Sequence, residues 1–191
     1  GFRIHASAKK PWVQFGLGPK DLAITATSFR MNRAEDGKAS PTGVPYFHTK
    51  LIKGSLLIEA GDGDAKRRFT IERTGFLLDT GASTSIHRDR QTEIPADLTQ
   101  NGEGKALATG VTVTALSPSL DPARHGKQAA VLQVQAGTKD KPPGFTTKVA
   151  IKDIGTVAVN TGIRPFLTHD VVVNLKAGQL TLLPRADSHQ R

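Results

Sequence analysis

Residues 76–86 read Phe-Leu-Leu-Asp-Thr-Gly-Ala-Ser-Thr-Ser-Ile, and the interpretation of the whole chain starts from this stretch. Three apolar residues run directly into Asp79, which predicts a buried strand that ends in a sharp turn with a carboxylate at its tip. Gly81 lets the backbone approach that carboxylate closely, and the Thr80 hydroxyl can hold the turn. The alternative is an ordinary hairpin turn capped by an Asp-Thr pair.

The composition favours strands and turns over helices. The chain has 191 residues, enough for one domain with a sizeable core, and it contains 19 glycines and 11 prolines. Aromatic residues make up only 5%, so the core must consist mainly of Val, Leu, Ile and Ala. Cysteine is absent, which excludes disulfides and thiolate metal ligands. No run of 18 apolar residues occurs, so we expect no transmembrane segment. An all-β domain follows from this composition.

The net charge of +9 leaves the class of partner open. A basic surface can attract nucleic acid, an anionic membrane or an acidic partner, and the densest basic group is 66–68. The chain has no nucleic-acid motif and no interleaved aromatic platform, so we expect no nucleic-acid partner. The chain begins at Gly1 rather than Met, which we expect of a processed or a trimmed chain, and we favour a periplasmic or secreted location.

The hydrophobic pattern divides the chain into three parts. Residues 1–45 form an extension with short predicted strands at 2–6 and 22–27, either an extra strand pair or an arm that packs on a partner. Residues 46–184 form the main domain, and 185–191 form a tail. Within the domain, strands are predicted at 46–52, 54–60, 68–73, 75–79, 106–116, 129–135, 147–151 and 156–159, and a closing hairpin at 171–175 and 179–183.

Two stretches together resemble a known family, the retropepsin-like aspartic proteases, including their bacterial members. The first is the apolar run into Asp79-Thr80-Gly81-Ala82. The second is Arg164, in a predicted short helix over 162–170, followed by two closing strands. The resemblance covers about residues 46–184 and implies a closed, barrel-like all-β domain with one short C-terminal helix. Ile163 stands where the family has a glycine before the arginine, which predicts a reshaped helix junction.

The resemblance implies an aspartic endopeptidase that acts as a homodimer without a cofactor. Only one Asp-Thr-Gly is present, so the catalytic carboxylate pair has to come from Asp79 of two chains. Thr80 of each chain would cross-bond beneath the pair, and the Gly81 N–H would bond the carboxylate. The closing strand, 179–183, would contribute to the dimer seam. The substrate is expected to be an extended peptide.

Three further residues are predicted to bind the substrate: Ala82, Ser83 and Gly110. Ala82 lacks the hydroxyl that the pepsin-like version places there, so the resemblance implies a higher apparent pKa for the carboxylate pair. Ser83 replaces a retroviral Asp that pairs with the helix arginine, so no salt bridge to Arg164 is expected. Gly110 belongs to a hairpin over about 106–134 that is interpreted as a flap. The alternative is an ordinary surface hairpin.

No metal site is predicted. The histidines are scattered without ligand spacing, although some bacterial relatives of similar motif have been labelled zinc proteases. We expect His87 to be a surface residue; the others considered are His48, His125 and His169. Two other functions stay open: a catalytically silent binding or dimerisation module of the same fold, and a basic surface-binding protein in which the motif is incidental.

Overall fold

The computed structural model describes residues 1–6, 10–17, 26–34, 41, 43, 45–121, 126–138 and 147–185. Strands dominate these residues, and the one α-helix among them, α1, is short, which confirms the all-β class. The strands are β1 (Phe2–His5), β2 (Trp12–Phe15), β3 (Thr27–Arg33), β4 (Phe47–Ala60), β5 (Arg67–Leu77), β6 (Ser85–Arg88), β7 (Thr112–Pro118), β8 (Gln128–Gln135), β9 (Ala150–Asp153), β10 (Ala158–Asn160), β11 (His169–Asn174) and β12 (Gln179–Pro184), and α1 spans Arg164–Thr168. In the described part of the chain, no helix is long and apolar enough to cross a membrane.

The twelve strands form one open sheet. Its main path runs β2-β1-β11-β12-β3-β4-β5-β10-β6-β9, and the hairpin β7–β8 branches from β4. Among the described residues β2 and β9, the two ends of the path, do not pair, so the expected closed barrel is wrong. The reason lies in the N-terminal residues: β1 occupies the edge of β11, and β2 then extends the sheet outward.

The N-terminal segment contributes three strands to this sheet. Besides β1 and β2, strand β3 lies between β12 and β4. Both edges of β12 are therefore occupied, by β11 and β3. A second chain therefore cannot pair with an edge of β12, and the expected contribution of 179–183 to a dimer seam stays a prediction. The predicted strand at 22–27 falls mostly outside the described residues; only its end appears, at the start of β3.

One apolar row crosses the sheet and carries the core beneath the site. Ile52, Phe76, Val159, Ile86 and Ile151 lie in register on five successive strands. All five side chains are buried. Burying an aliphatic or aromatic side chain of this size contributes about 1.5–3 kcal/mol. This row holds the ends of β5, β10 and β6 in place, which positions the residues that follow them.

Strands β4 and β5 are each longer than predicted, because each is one continuous strand where two strands were predicted. Two predicted strands merge into β4, because Gly54 continues the strand through a register shift opposite β5. A Cβ at Gly54 would overlap the Leu116 carbonyl and lie 2.9 Å from the Phe76 ring, so glycine permits the close approach of β7. On β5, Arg73 takes the left-handed conformation at φ 54°, and the Thr74 hydroxyl donates to the Ile71 carbonyl (2.9 Å).

Candidate active site

Asp79 lies in the turn that directly follows β5, as the sequence predicts. Its Oδ1 accepts a hydrogen bond from the Gly81 N–H (2.9 Å), and its Oδ2 accepts one from Asn160 Nδ2 (3.1 Å). Asp79 is half-buried, whereas Thr80 and Gly81 are exposed. The Asn160 amide, and then the Gly81 N–H, lower the pKa of Asp79 below its ordinary value, against a smaller opposing effect of burial. The site therefore holds an ionised carboxylate.

Asn160 reaches Asp79 because β10 is inserted between β5 and β6. Strand β10 runs parallel to β5, with Asn160 opposite Leu77, and antiparallel to β6, with Asn160 opposite Ser85. The chain leaves β5 at Leu77, passes around the end of β10 and returns as β6. This path brings the last residue of β10 against the carboxylate that follows β5.

The Asn160 turn shares the sequence pattern and one hydrogen bond of the Asp79 turn. Asn160-Thr161-Gly162 differs from Asp79-Thr80-Gly81 only by an amide in place of the carboxylate. In both, the side-chain oxygen of the first residue accepts the N–H of the glycine two positions later, at 2.9 Å. Sequence reasoning missed Asn160, although this second Asx-Thr-Gly was a visible signal for it.

Thr161 and Gly162 join the two turns. The N–H and the hydroxyl of Thr161 both donate to the Leu77 carbonyl (2.9 Å each). The Thr84 hydroxyl in turn donates to the Thr161 carbonyl (3.0 Å). Gly162 has φ +62°, and a Cβ there would lie 2.5 Å from the Ala82 carbonyl oxygen. A glycine is thus required at 162, one position before the place where the resemblance expects it.

The predicted substrate-binding residues fall in two different places. Ala82 and Ser83 lie in the Asp79 turn; the Ala82 carbonyl accepts the Ile163 N–H (3.2 Å), and Ser83 is exposed. Gly110 lies at the open end of the β7–β8 hairpin, where its N–H donates to the Ala136 carbonyl (2.8 Å). The seven residues of β7 separate Gly110 from the hairpin tip. No hydrogen bond within the described part of the chain connects Gly110 with the Asp79 turn.

The hairpin predicted as a flap is anchored along much of its length. Strand β7 pairs with β4 over five residues, and Val113, Val131 and Val134 are buried in the core. Near the tip, the Leu120 N–H donates to the Ser28 carbonyl on β3 (2.7 Å). Residues 122–125 lie outside the described residues. The described strands of this hairpin belong to the packed sheet, and the interpretation of the hairpin as a flap stays a prediction.

Arg164 is hydrogen-bonded to a threonine. The acidic residue that pairs with this arginine in retroviral proteases is replaced by Ser83 here. The Arg164 Nη2 donates to the Thr147 hydroxyl (2.6 Å), and Thr147 is buried. The bond connects the start of α1 to the segment that leads into β9. Arg164 therefore has a local structural role beside the site.

The structure corrects the expectation that His87 is a surface residue. His87 is only 9% exposed, since β6 lies between β10 and β9, and its Nε2 lies 3.1 Å from the Ser85 hydroxyl. Burial, and then the charges of Lys152 and Lys50, lower the pKa of His87. The ring is therefore neutral near pH 7.

The other histidines do not combine into a metal site. His48 is exposed, and His169 Nδ1 lies 2.8 Å from the Thr168 hydroxyl. His125 lies outside the described residues. Within the ranges that the structure describes, no three His, Cys, Asp or Glu side chains are grouped to hold an ion.

No protein-family model matches this chain, and neither a curated protein nor a solved structure is significantly similar to it. The functional interpretation consequently rests on the motif and on the geometry of the two joined turns.

Proposed function

We propose that the protein is an aspartic endopeptidase of retropepsin type, in which two chains form one active site and each supplies Asp79. The observation that carries the proposal is a partly exposed carboxylate on a strand-end turn, held in place by two N–H donors. A rigid turn is what a carboxylate needs in order to act on a water molecule instead of packing into a core.

The chemistry follows from placing two such carboxylates face to face. Like charges at hydrogen-bond distance cannot both ionise, so the pair holds one proton. The ionised Asp79 removes a proton from water as the water oxygen attacks the peptide carbonyl carbon. The protonated Asp79 donates its proton to the carbonyl oxygen. When the tetrahedral intermediate collapses, the C–N bond breaks and the leaving amine takes the proton that the first Asp79 removed from water. A hydroxyl of the intermediate returns a proton to the second Asp79, so the pair again holds one proton.

The surface around the Asp79 turn suits contact with a second chain. Thr80, Gly81 and Ser83 are exposed, and so are two apolar side chains nearby, Ile163 and Leu167, each 38% exposed. Ile163 is bonded through its N–H to the Asp79 turn, and Leu167 belongs to α1, which begins at the next residue. Apolar residues next to a polar catalytic turn are the composition expected of an interface centre.

A mixing experiment tests the shared site directly. Asp79→Asn is nearly isosteric and preserves a side-chain oxygen that can accept the Gly81 N–H, so the fold is expected to survive. When wild-type and Asp79→Asn chains exchange in equal amounts, random pairing leaves about one quarter of the dimers with two carboxylates. Cleavage of an unstructured protein should therefore fall to about a quarter of that of undiluted wild type. A fall to one half would mean that each chain acts alone, and undiminished cleavage by pure Asp79→Asn would refute the proposal.

One observation favours a second candidate, a catalytically silent module of the same fold. Asn160 of the same chain donates a hydrogen bond to one carboxylate oxygen of Asp79, so this oxygen already has a partner without a second chain. The separation of the two Asp79 carboxyl groups in a crystal of the dimer distinguishes the candidates. Hydrogen-bond distance supports the protease, and a wide separation together with absent cleavage supports the silent module.

A further inference from the structure

A second concave site lies away from Asp79. It is a cavity of about 680 Å³ between β3, the end of β7 and the turn that joins β11 to β12. Its described lining includes 30–33 on β3, 117–120 at the end of β7, and 177–178 in the turn. No residue of the Asp79 turn or of the Asn160 turn lines it. Cavities of this size are large enough to enclose a segment of a ligand.

Three cations surround this cavity without a counter-ion among the residues that the structure describes. Arg30 and Arg33 project from β3 and Lys53 from β4, and all three are exposed. None of them forms an ion pair or a side-chain hydrogen bond with a described residue, whereas five other arginines of the described chain are paired with carboxylates: Arg3, Arg67, Arg68, Arg88 and Arg185. No acidic residue appears in the described lining. Three neighbouring positive charges create a field that attracts an anionic ligand.

The remaining walls combine apolar side chains with polar ones that are hydrogen-bonded within the chain. Met31, Pro118 and Leu120 line the cavity. The two serines of the β7 wall are buried and satisfied internally: Ser117 donates to the Lys53 carbonyl (2.8 Å), and Ser119 accepts the Asp121 N–H (3.1 Å). A ligand thus meets charged groups at the rim and apolar surface within.

We propose that this cavity binds an acidic segment of a polypeptide, an extended chain that carries carboxylates for the rim and an apolar side chain for the interior. The described lining contains no aromatic ring, and single-stranded nucleic acids depend on such rings for stacking. The concave, partly apolar shape also differs from the long positive stripe that a duplex requires. This binding goes beyond the proposed function, because it involves no residue of the Asp79 site.

The test uses a fluorescently labelled peptide of alternating Glu and Leu, with an alternating Gln and Leu peptide of equal length as its control. Binding to the full chain is followed by fluorescence anisotropy. We expect the Glu peptide to bind and the Gln peptide to bind at least about tenfold more weakly. Added salt should weaken the binding of the Glu peptide. Asp79→Asn should bind the Glu peptide as wild type does, so a failed protease proposal leaves this result intact. Equal binding of both peptides would overturn the inference.

Matched variants locate the site. The triple variant Arg30→Gln, Arg33→Gln, Lys53→Gln should lose about tenfold in affinity for the Glu peptide. A control triple with the same change in charge, taken from exposed cations outside the cavity, should stay within about twofold: Arg73→Gln, Arg90→Gln and Lys148→Gln. Equal losses in both triples would show only an effect of net charge and would refute the site. The peptide assignment would be refuted if a single-stranded oligonucleotide bound the wild-type chain as tightly as the Glu peptide does and the cavity triple variant lost that binding.

A measurement on the wild-type chain avoids any dependence on variant folding. Carbodiimide coupling of the bound Glu peptide, followed by mass spectrometry, should attach a peptide carboxylate to Lys53. Coupling confined to lysines outside the cavity, such as Lys105 or Lys148, would overturn the proposal.

Discussion

Asn160 Nδ2 donates to Asp79 Oδ2 over 3.1 Å, although the two residues are 81 positions apart in the chain. The contact joins the ends of two parallel strands, and each partner also accepts the N–H of its own glycine two residues later. Asn160 thereby stabilises the ionised form of Asp79 and limits its rotation. It acts as a positioning residue for the carboxylate.

Asn160→Ala should raise the pKa of Asp79, because the substitution removes the main donor to its charged form. If Asp79 catalyses cleavage, the acidic limb of the rate profile should move to higher pH. Carboxyl NMR titration measures the pKa directly. Asn174→Ala is the matched control: Asn174 also ends a strand and accepts an N–H, from Ala177 (3.1 Å). An unchanged Asp79 pKa in Asn160→Ala would contradict the assigned contact.

Asn160→Asp should create a carboxylate pair within a single chain. The new side chain would replace the amide donor by an oxygen at hydrogen-bond distance from Asp79, so the two groups have to share a proton. One of the two apparent pKa values should rise clearly above that of an isolated Asp. The same substitution in an Asp79→Asn background should lose this high value. Two separate, unshifted titrations in Asn160→Asp would show that the carboxylates do not face each other.

Gly162→Ala should destabilise the fold more than an alanine at another left-handed glycine. Both Gly162 and Gly155 have positive φ, but only at Gly162 would a Cβ meet backbone, 2.5 Å from the Ala82 oxygen. Gly155 has open space around it. Gly155→Ala should therefore lower the free energy of unfolding only by the strain of alanine in the left-handed conformation, about 1–2 kcal/mol. The clash should add about 1–3 kcal/mol at 162. Urea denaturation compares the free energies of unfolding, and equal losses would disprove the close contact.

Asp170→Asn should release the N-terminal strands from the sheet. Asp170 is buried and accepts hydrogen bonds from Arg3 Nε (2.9 Å), His5 Nδ1 (2.7 Å) and Arg185 Nε (2.9 Å). Removing the charge takes away the carboxylate that Arg3 and Arg185 face, and we expect a loss of about 2–4 kcal/mol in the free energy of unfolding. Asp153→Asn, which breaks an exposed pair with Arg88, should cost less than about 1 kcal/mol. Similar losses in both variants would contradict the central position of Asp170.

The same cluster predicts how stability depends on pH. Burial raises the pKa of Asp170, but the hydrogen bonds from Arg3, Arg185 and His5 outweigh it, and the net pKa lies below the ordinary 3.8. A depressed pKa means that the unfolded chain binds the proton more tightly. The contribution of Asp170 is therefore fully present above about pH 4–5 and is lost as the pH falls through its folded-state pKa. Asp170→Asn should flatten this part of the curve of unfolding free energy against pH.

Local patterns in the sequence were enough to locate the Asp79 turn, the short helix and the closing hairpin. Each depends on residues close in the chain: an apolar run into Asp-Thr-Gly, a proline in the first turn of α1, and Lys176-Ala177-Gly178 between two β-prone runs. The break predicted inside β4 was wrong. Gly54 lies within the strand, and its missing Cβ leaves room for β7 to pack closely.

The sequence by itself determined that Asp79 follows a buried strand on a glycine-containing turn, since neighbouring residues alone specify that geometry. Only the tertiary structure decided what surrounds the carboxylate. The insertion of β10 between β5 and β6 brings Asn160 to Asp79 and buries His87, and the addition of β1 to β11 leaves the sheet open. These outcomes depend on which strand edges meet, and strand pairing between residues distant in the chain leaves no short-range pattern to read.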